Sequence, residues 1–275
     1  MTSSFDVSLF APVTDTLTPQ QAQRWLRLLR PGIRLRRHRE DAGEGSVVGH
    51  FAGLPGLPEG MAWPSWEGRG PMHHQATLDC ALLPTHELDI PLPPDGELVF
   101  FYFDSFESDC DFIFVPGDHE EEPGAGIKLL YIPASEPTRP RQAPYDLDRH
   151  TQKRPFFLNG IVPTWPDAEY AVVSDITGAF YHDPDHPSYD PSHPYYHAEV
   201  DLAAELGGDP ASQVGGYAPW GQPPVVPPES AEPDELDWVH LATFEAFRDG
   251  WLHWMIYRED LAEGRFDRAE AFFER

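Results

Sequence analysis

The chain has 275 residues, 40% of them hydrophobic and 13% aromatic, which supports a packed core and argues against wholesale disorder. Thirty-one prolines and twenty-two glycines favour short elements joined by loops over a bundle of long helices. Nineteen Lys and Arg against forty-six Asp and Glu give a formal charge of -27, a surface that repels nucleic-acid phosphates and anionic lipid, so neither is expected as a partner.

In chain order, Thr18-Pro19-Gln20-Gln21 opens a helix: Thr18 caps, Pro19 suits the first position and Gln21 completes the box. Ala22, Trp25, Leu26 and Leu29 form its apolar face, and Pro31-Gly32 stops it. Ile33 to His38 alternates apolar and basic residues, as a half-exposed strand does. From Gly49 to Pro71, Pro and Gly interrupt the chain every few residues, so an apolar irregular segment carrying Phe51, Leu54, Leu57, Trp63 and Trp66 is expected to wrap a sheet or line a groove. Strands are predicted over Ala76 to Ala81, Glu97 to Asp104, Phe112 to Val115 and Ile127 to Ile132. Residues 133 to 170 read as a Pro-rich connection, Ala171 to Ser174 as a short strand and Ala198 to Leu206 as a helix ended by Gly207-Gly208. Trp238 to Glu245 and Trp251 to Tyr257 are strands, and Asp267 to Glu270 is expected to start a final helix carrying Phe272 and Phe273.

One pattern occurs twice. Residues 74 to 80 read HQATLDC and residues 240 to 246 read HLATFEA, each followed by Asp-Gly and a hydrophobic strand, DGELVFFYFD and DGWLHWMIYR. Asp-Gly is a strong turn signal, so the physical reading is a duplicated strand–turn–strand unit. The expected fold is α+β and β-rich: a single domain over residues 1–275, with related halves at about 46–132 and 210–275 and a Pro/His-rich connection and helix over 133–209. Strand alternation predicts that His74, Ala76 and Leu78 share one face, with Thr77 and Asp79 on the other, and likewise for His240, Ala242 and Phe244 against Thr243 and Glu245.

The run GHFAGLPGLPEGMAWPSWEGRGPMHHQATLDCALLP with LPPDGELVFFYFD resembles the signature of the YwqG-like bacterial proteins of unknown function. GGYAPWGQPP, WVHLATFEA and the closing DGWLHWMIYREDLAEGRFDRAEAFFE resemble that family's C-terminal half. The likeness runs over roughly residues 20 to 275 and is weakest over 105 to 200. Ala52 stands where the family has the first Gly of a Gly-Gly pair, and Thr77 and Thr243 where it has a strand glutamine. The resemblance implies a β-rich fold with two related halves and no established reaction. Some relatives are encoded beside bacterial toxins, which by analogy implies a protein that binds and neutralises another.

Residues 181 to 197, YHDPDHPSYDPSHPYYH, hold His182, Asp183, His186, His193 and His197, residue types that bind a divalent metal. Both histidine pairs are spaced i, i+4, but the intervening prolines work against a helix that would align them, so a solvated loop is the competing reading. No nucleophile elbow or phosphate loop is present, and Cys80 and Cys110 lack zinc spacing. The sequence shows neither a signal peptide nor an apolar run of membrane length, so a cytoplasmic protein with reduced thiols is expected. The leading expectation is a non-enzymatic binding protein, immunity-like or regulatory, with a basic protein partner and no cofactor. The alternative is an enzyme or small-molecule binder using a cleft between the halves, with Trp63, His74, Thr77, Trp220, His240 and Thr243 as its ligand contacts. A third reading is metal binding by the histidine-rich loop.

Overall fold

The computed structural model describes residues 5–37, 45–104, 126–144, 147, 152–168, 170–180, 189–206, 212–219, 238–247 and 250–274. They fall into two compact units. One comprises residues 1–31, 163–210 and 219–237, the other residues 32–162, 211–218 and 238–275.

The first unit is helical. The Thr18 side chain accepts from Gln21 N–H and Gln21 reaches back, so the capping box forms and α2 runs Pro19–Leu26 behind the short α1, Ala11–Thr14. The strand expected over Ala171 to Ser174 is instead part of helix α3, Ala171–Thr177. Their β-branched residues are outweighed by the stop that follows, where Gly178 takes φ 75 and its N–H returns to Ser174 O. Helix α4 spans Pro194–Glu205 and starts earlier than expected, because Pro194 occupies the first helical turn, where its missing N–H costs nothing. The core packs Phe10, Trp25, Val173, Tyr195 and Leu202, and buried Trp25 Nε1–H donates to Tyr195 Oη at 3.0 Å.

The second unit is built on a large antiparallel sheet that nearly closes into a barrel. Its strands are β1 Arg30–Arg36, β2 Val47–Phe51, β6 His73–Asp79, β7 Glu97–Tyr102, β8 Ile127–Ile132, β10 Arg154–Thr164, β11 Gln213–Val214, β12 Trp238–Glu245, β13 Trp251–Tyr257 and β14 Glu270–Glu274. They lie in the order β14-β13-β12-β11-β1-β10-β2-β6-β7-β8. Short strands β3 Gly56–Pro58 and β9 Thr138–Pro140 pair separately, as do β4 Ser65–Trp66 and β5 Gly70–Pro71. The chain is thus β-rich, as expected. The expected C-terminal helix is replaced by a turn at Phe266–Arg268 and by β14, which gains five paired positions against β13. The expected strand over Phe112 to Val115 lies outside the described residues.

The inner face of the sheet holds the larger core. Phe100 on β7 meets Phe244 on β12 edge-on at 4.9 Å and Trp254 on β13 at 5.1 Å. Buried Gln75 reaches across this interior, accepting from Trp254 Nε1–H at 3.0 Å and donating to Glu245 O at 2.9 Å. The Pro/Gly segment after β2 covers part of the outer face, where Leu57, Met72, Val99, Phe101 and Ile132 form a separate cluster with Trp63 and Trp66 against it.

The β6–β7 and β12–β13 pairs share their irregularities. Register slips by one residue between His74 and Ala76, and again between His240 and Ala242. The same hydrogen bond closes each pair, Cys80 N–H to Gly96 O and Ala246 N–H to Gly250 O, both at 2.9 Å. Gly96 and Gly250 have φ of 78 and 136, and a Cβ on either would strike the carbonyl of the next strand, at Ile132 or Glu274.

β2 must also approach β6 closely, with Gly49 opposite Leu78, where a Cβ would run into the Thr77 carbonyl oxygen. Gly49→Ala is therefore expected to destabilise the chain by about 1–3 kcal/mol through overpacking. Urea unfolding checks this: the midpoint should drop with the slope unchanged, and a wild-type midpoint would show that the two strands can separate freely.

Candidate functional site

The one-residue slip at each histidine changes which side chains share a face. Simple alternation puts His74 opposite in sense to Thr77. The bulge at Gln75 reverses that, so His74 and Thr77 lie on the same, outer face, while Ala76 and Leu78 stay in the inner core. The same correction applies to His240 and Thr243, with Leu241 as the bulged residue.

Each histidine ring is then held through both of its nitrogens. His74 Nδ1 lies 3.0 Å from Gly53 O and its Nε2 lies 2.9 Å from Thr77 Oγ1. His240 Nδ1 lies 3.0 Å from Gly215 O and its Nε2 lies 2.7 Å from Thr243 Oγ1. A carbonyl oxygen only accepts, so in each ring the proton sits on Nδ1 and Nε2 accepts from the threonine hydroxyl. The strand preceding each loop adds a further donor. His50, opposite Thr77, has Nδ1 2.7 Å from Ala52 O; Gln213, opposite Thr243, donates Nε2–H to Gly215 O at 2.9 Å. These donors clamp turns of positive φ. Ala52 at 53 and Gly53 at 81 form one, Gly215 at 69 and Gly216 at 68 the other. Ala52 bears a left-handed conformation that disfavours a Cβ by about 1–2 kcal/mol, where the resemblance implies glycine.

The two outer faces then diverge. Opposite Thr77 stands apolar Val99; opposite Thr243 stands His253. Thr243 Oγ1 lies 2.9 Å from His253 Nδ1, and His253 Nε2 lies 3.0 Å from Glu274 Oε2. Hydroxyl, imidazole and carboxylate in line suggest a nucleophile, base and acid. The donor order runs the other way: Thr243 gives its proton to His240, so its oxygen receives one from His253 Nδ1–H. That leaves His253 Nε2 and Glu274 Oε2 sharing a single proton. Thr243 and His253 are both 0% exposed, so the hydroxyl is closed off from solvent. This buried chain ties β11, β12, β13 and β14 together, and neither His253 nor Glu274 carries a motif that singles it out in sequence.

Burial dominates the electrostatics. It pulls the His74 imidazole down to about 3, assisted by neighbouring His50, and His240 down to about 3, assisted by His253. His50 falls to about 4, again chiefly through burial. His253 is lowered by burial against the upward pull of Glu274. The Cys80 thiol is pushed up to about 12 by burial and then by Asp79, so it is inert as a nucleophile at neutral pH.

The remaining sequence candidates are dispersed. Trp63 is anchored to the outer face, donating Nε1–H to Met72 O at 2.9 Å and meeting Phe101 edge-on at 5.4 Å. Phe101 in turn contacts His74 at 5.4 Å, which links Trp63 to that cluster. Trp220, His182, Asp183 and His186 lie outside the described residues. His193 is the N-cap of α4, its Nδ1 accepting from Tyr195 N–H at 3.3 Å, and exposed His197 rests against Tyr196. Among the described residues no three His, Cys, Asp or Glu side chains converge as a metal ligand set. No helix there is long and apolar enough to cross a membrane.

Charge is as unevenly placed as the histidines. From Pro155 to Phe247 the chain has sixteen acidic residues and no lysine or arginine. Most of that span belongs to the first unit, whose only basic residues are Arg24, Arg27 and Arg30. Arg24 is already paired with Asp175 at 2.6 Å.

The depressed imidazoles predict acid sensitivity. An unfolded histidine takes up a proton near pH 6.5, whereas His50, His74 and His240 do so in the fold only near 4, 3 and 3. The unfolded state therefore binds more protons between those values, and stability falls as pH falls below about 6.5, by about 2 kcal/mol per histidine at pH 5. His50→Gln, which borrows the Gln213 contact, should remove about a third of the loss due to these three. Urea unfolding at pH 7.5 and pH 5 measures it; a variant losing as much as wild type would show that His50 titrates normally.

A search of curated proteins returns no match. The Gly49 approach, the clamped turns and both His-Thr bulges all fall inside the span that a family model recognises, residues 49–273. The chain belongs to the family described as a domain of unknown function, DUF1963.

Proposed function

We propose that the protein acts by binding a basic protein partner rather than by turning over a substrate. The observation that carries this reading is the span of 93 residues, Pro155 to Phe247, with sixteen acidic side chains and no Lys or Arg. A field of one sign steers and holds an oppositely charged partner, and it does so less well as salt rises. The site chemistry agrees: the rings of His74 and His240 spend both nitrogens on internal contacts. The YwqG-like resemblance supports an immunity-like form of the same reading, in which the chain occupies a basic bacterial toxin, with the cytoplasm as its place of action.

The scaffold of this reading is a duplicated unit. The matched bulges, the matched Gly96 and Gly250 closures and the matched His-Thr-carbonyl clamps support descent of β2-β6-β7-β8 and β11-β12-β13-β14 from one ancestral unit. One copy then filled its outer face with Val99 and Ile132, the other with His253 and Glu274.

The test is capture from the extract of the host cell on the tagged chain at about 0.05 M salt, with elution at about 0.5 M, where screening is nearly complete. The expected result is a stoichiometric, basic protein released by salt. Captured proteins no more basic than the extract, or retention indifferent to salt, would overturn the reading.

A further inference from the structure

Helix α4 is apolar on two sides. Tyr195, Ala198 and Leu202 are buried in the core of the first unit. On the opposite side Tyr196, Val200 and Ala204 follow at i, i+4 and i+8, and all three are exposed, Val200 at 52%. Surface helices ordinarily put polar residues there. Exposed Asp201 and Glu205 run alongside this stripe, one residue further round the helix. α1 packs against α4, and the turn leading into α1 adds exposed Val7 and Leu9 to the first unit.

We propose that this face of α4 is the docking surface for a basic amphipathic helix of the partner. The inference rests on the basic-partner reading and deepens it by naming the surface and the shape that fits. The partner's apolar side would cover Tyr196, Val200 and Ala204, while its lysines and arginines reach Asp201 and Glu205. Charge selects this occupant over the others. A second copy of the chain would bring another seventeen acidic residues against the first unit, and an anionic lipid surface is repelled in the same way. The recognition mode is an apolar helical stripe meeting a helix, with the rim charges setting sign and orientation.

The test uses an 18-residue fluorescent peptide of leucine and lysine in helical amphipathic order, and a scrambled peptide of the same composition, titrated with the full-length protein at low and high salt. The patterned peptide is expected to bind about tenfold tighter than the scrambled one. Tyr196→Ser with Val200→Ser should abolish that preference, and Asp201→Asn with Glu205→Gln should flatten the salt dependence while keeping part of the preference. Equal binding of both peptides, or a preference that survives the serine variant, would overturn α4 as the surface and leave the basic-partner reading standing. Failure of both peptides to bind at low salt would overturn the two together.

Discussion

The second unit depends on one repeated interaction, an imidazole that donates to the carbonyl of a left-handed turn and accepts from a threonine three residues along its own strand. The contact needs a bulge, because only a one-residue slip puts positions i and i+3 on the same side of a strand. It also needs a neutral ring with its proton on Nδ1, since a charged imidazole buried this deeply would cost several kcal/mol. The turns themselves are set in positive φ, with Ala52 paying a backbone penalty that the donors from His50 and His74 on Ala52 and Gly53 offset. Bulge, tautomer, turn and strand pairing thus support one another, and each copy of the clamp joins a strand, its neighbour and the loop between them.

Around that shared frame the two outer faces solve burial differently. Next to Thr77 the chain uses Val99, Phe101 and Ile132, capped by Trp63, so the cluster is apolar. Next to Thr243 it uses His253 and Glu274, and the polar atoms form a connected chain from Gly215 O to the Glu274 carboxylate. A connected network is stable when every member is bonded and costly when one is lost. The rings of His74 and His240 keep both nitrogens on contacts inside the fold, and the proposed partner surface lies instead on helix α4 of the acidic first unit.

The sequence revealed the strands with strong apolar runs and clear turns: β8, β12 and β13 sit where the pattern put them. It concealed β10, because Pro155, Gly160 and Pro163 read as loop although the strand tolerates them within its eleven residues. It misled at Ala171–Thr177 and at Glu270–Glu274, where local propensity lost to a glycine stop and to pairing with β13. The His-x-Ala-Thr motifs marked the right residues, but their facing was illegible because a bulge leaves no composition signal. His253 and Glu274 were invisible for a related reason: they are defined only by lying across from Thr243 and beyond it.

His74 and His240 are neutral, carry their proton on Nδ1 and hold the fold in that state. Nitrogen-15 NMR of the histidine side chains between pH 7.5 and pH 5 tests it most directly. Two rings are expected with a protonated Nδ1 and an unprotonated Nε2 whose shifts do not move over that range, each lost in the matching His74→Gln or His240→Gln variant. Rings protonated on Nε2, or titrating near pH 6.5, would contradict it.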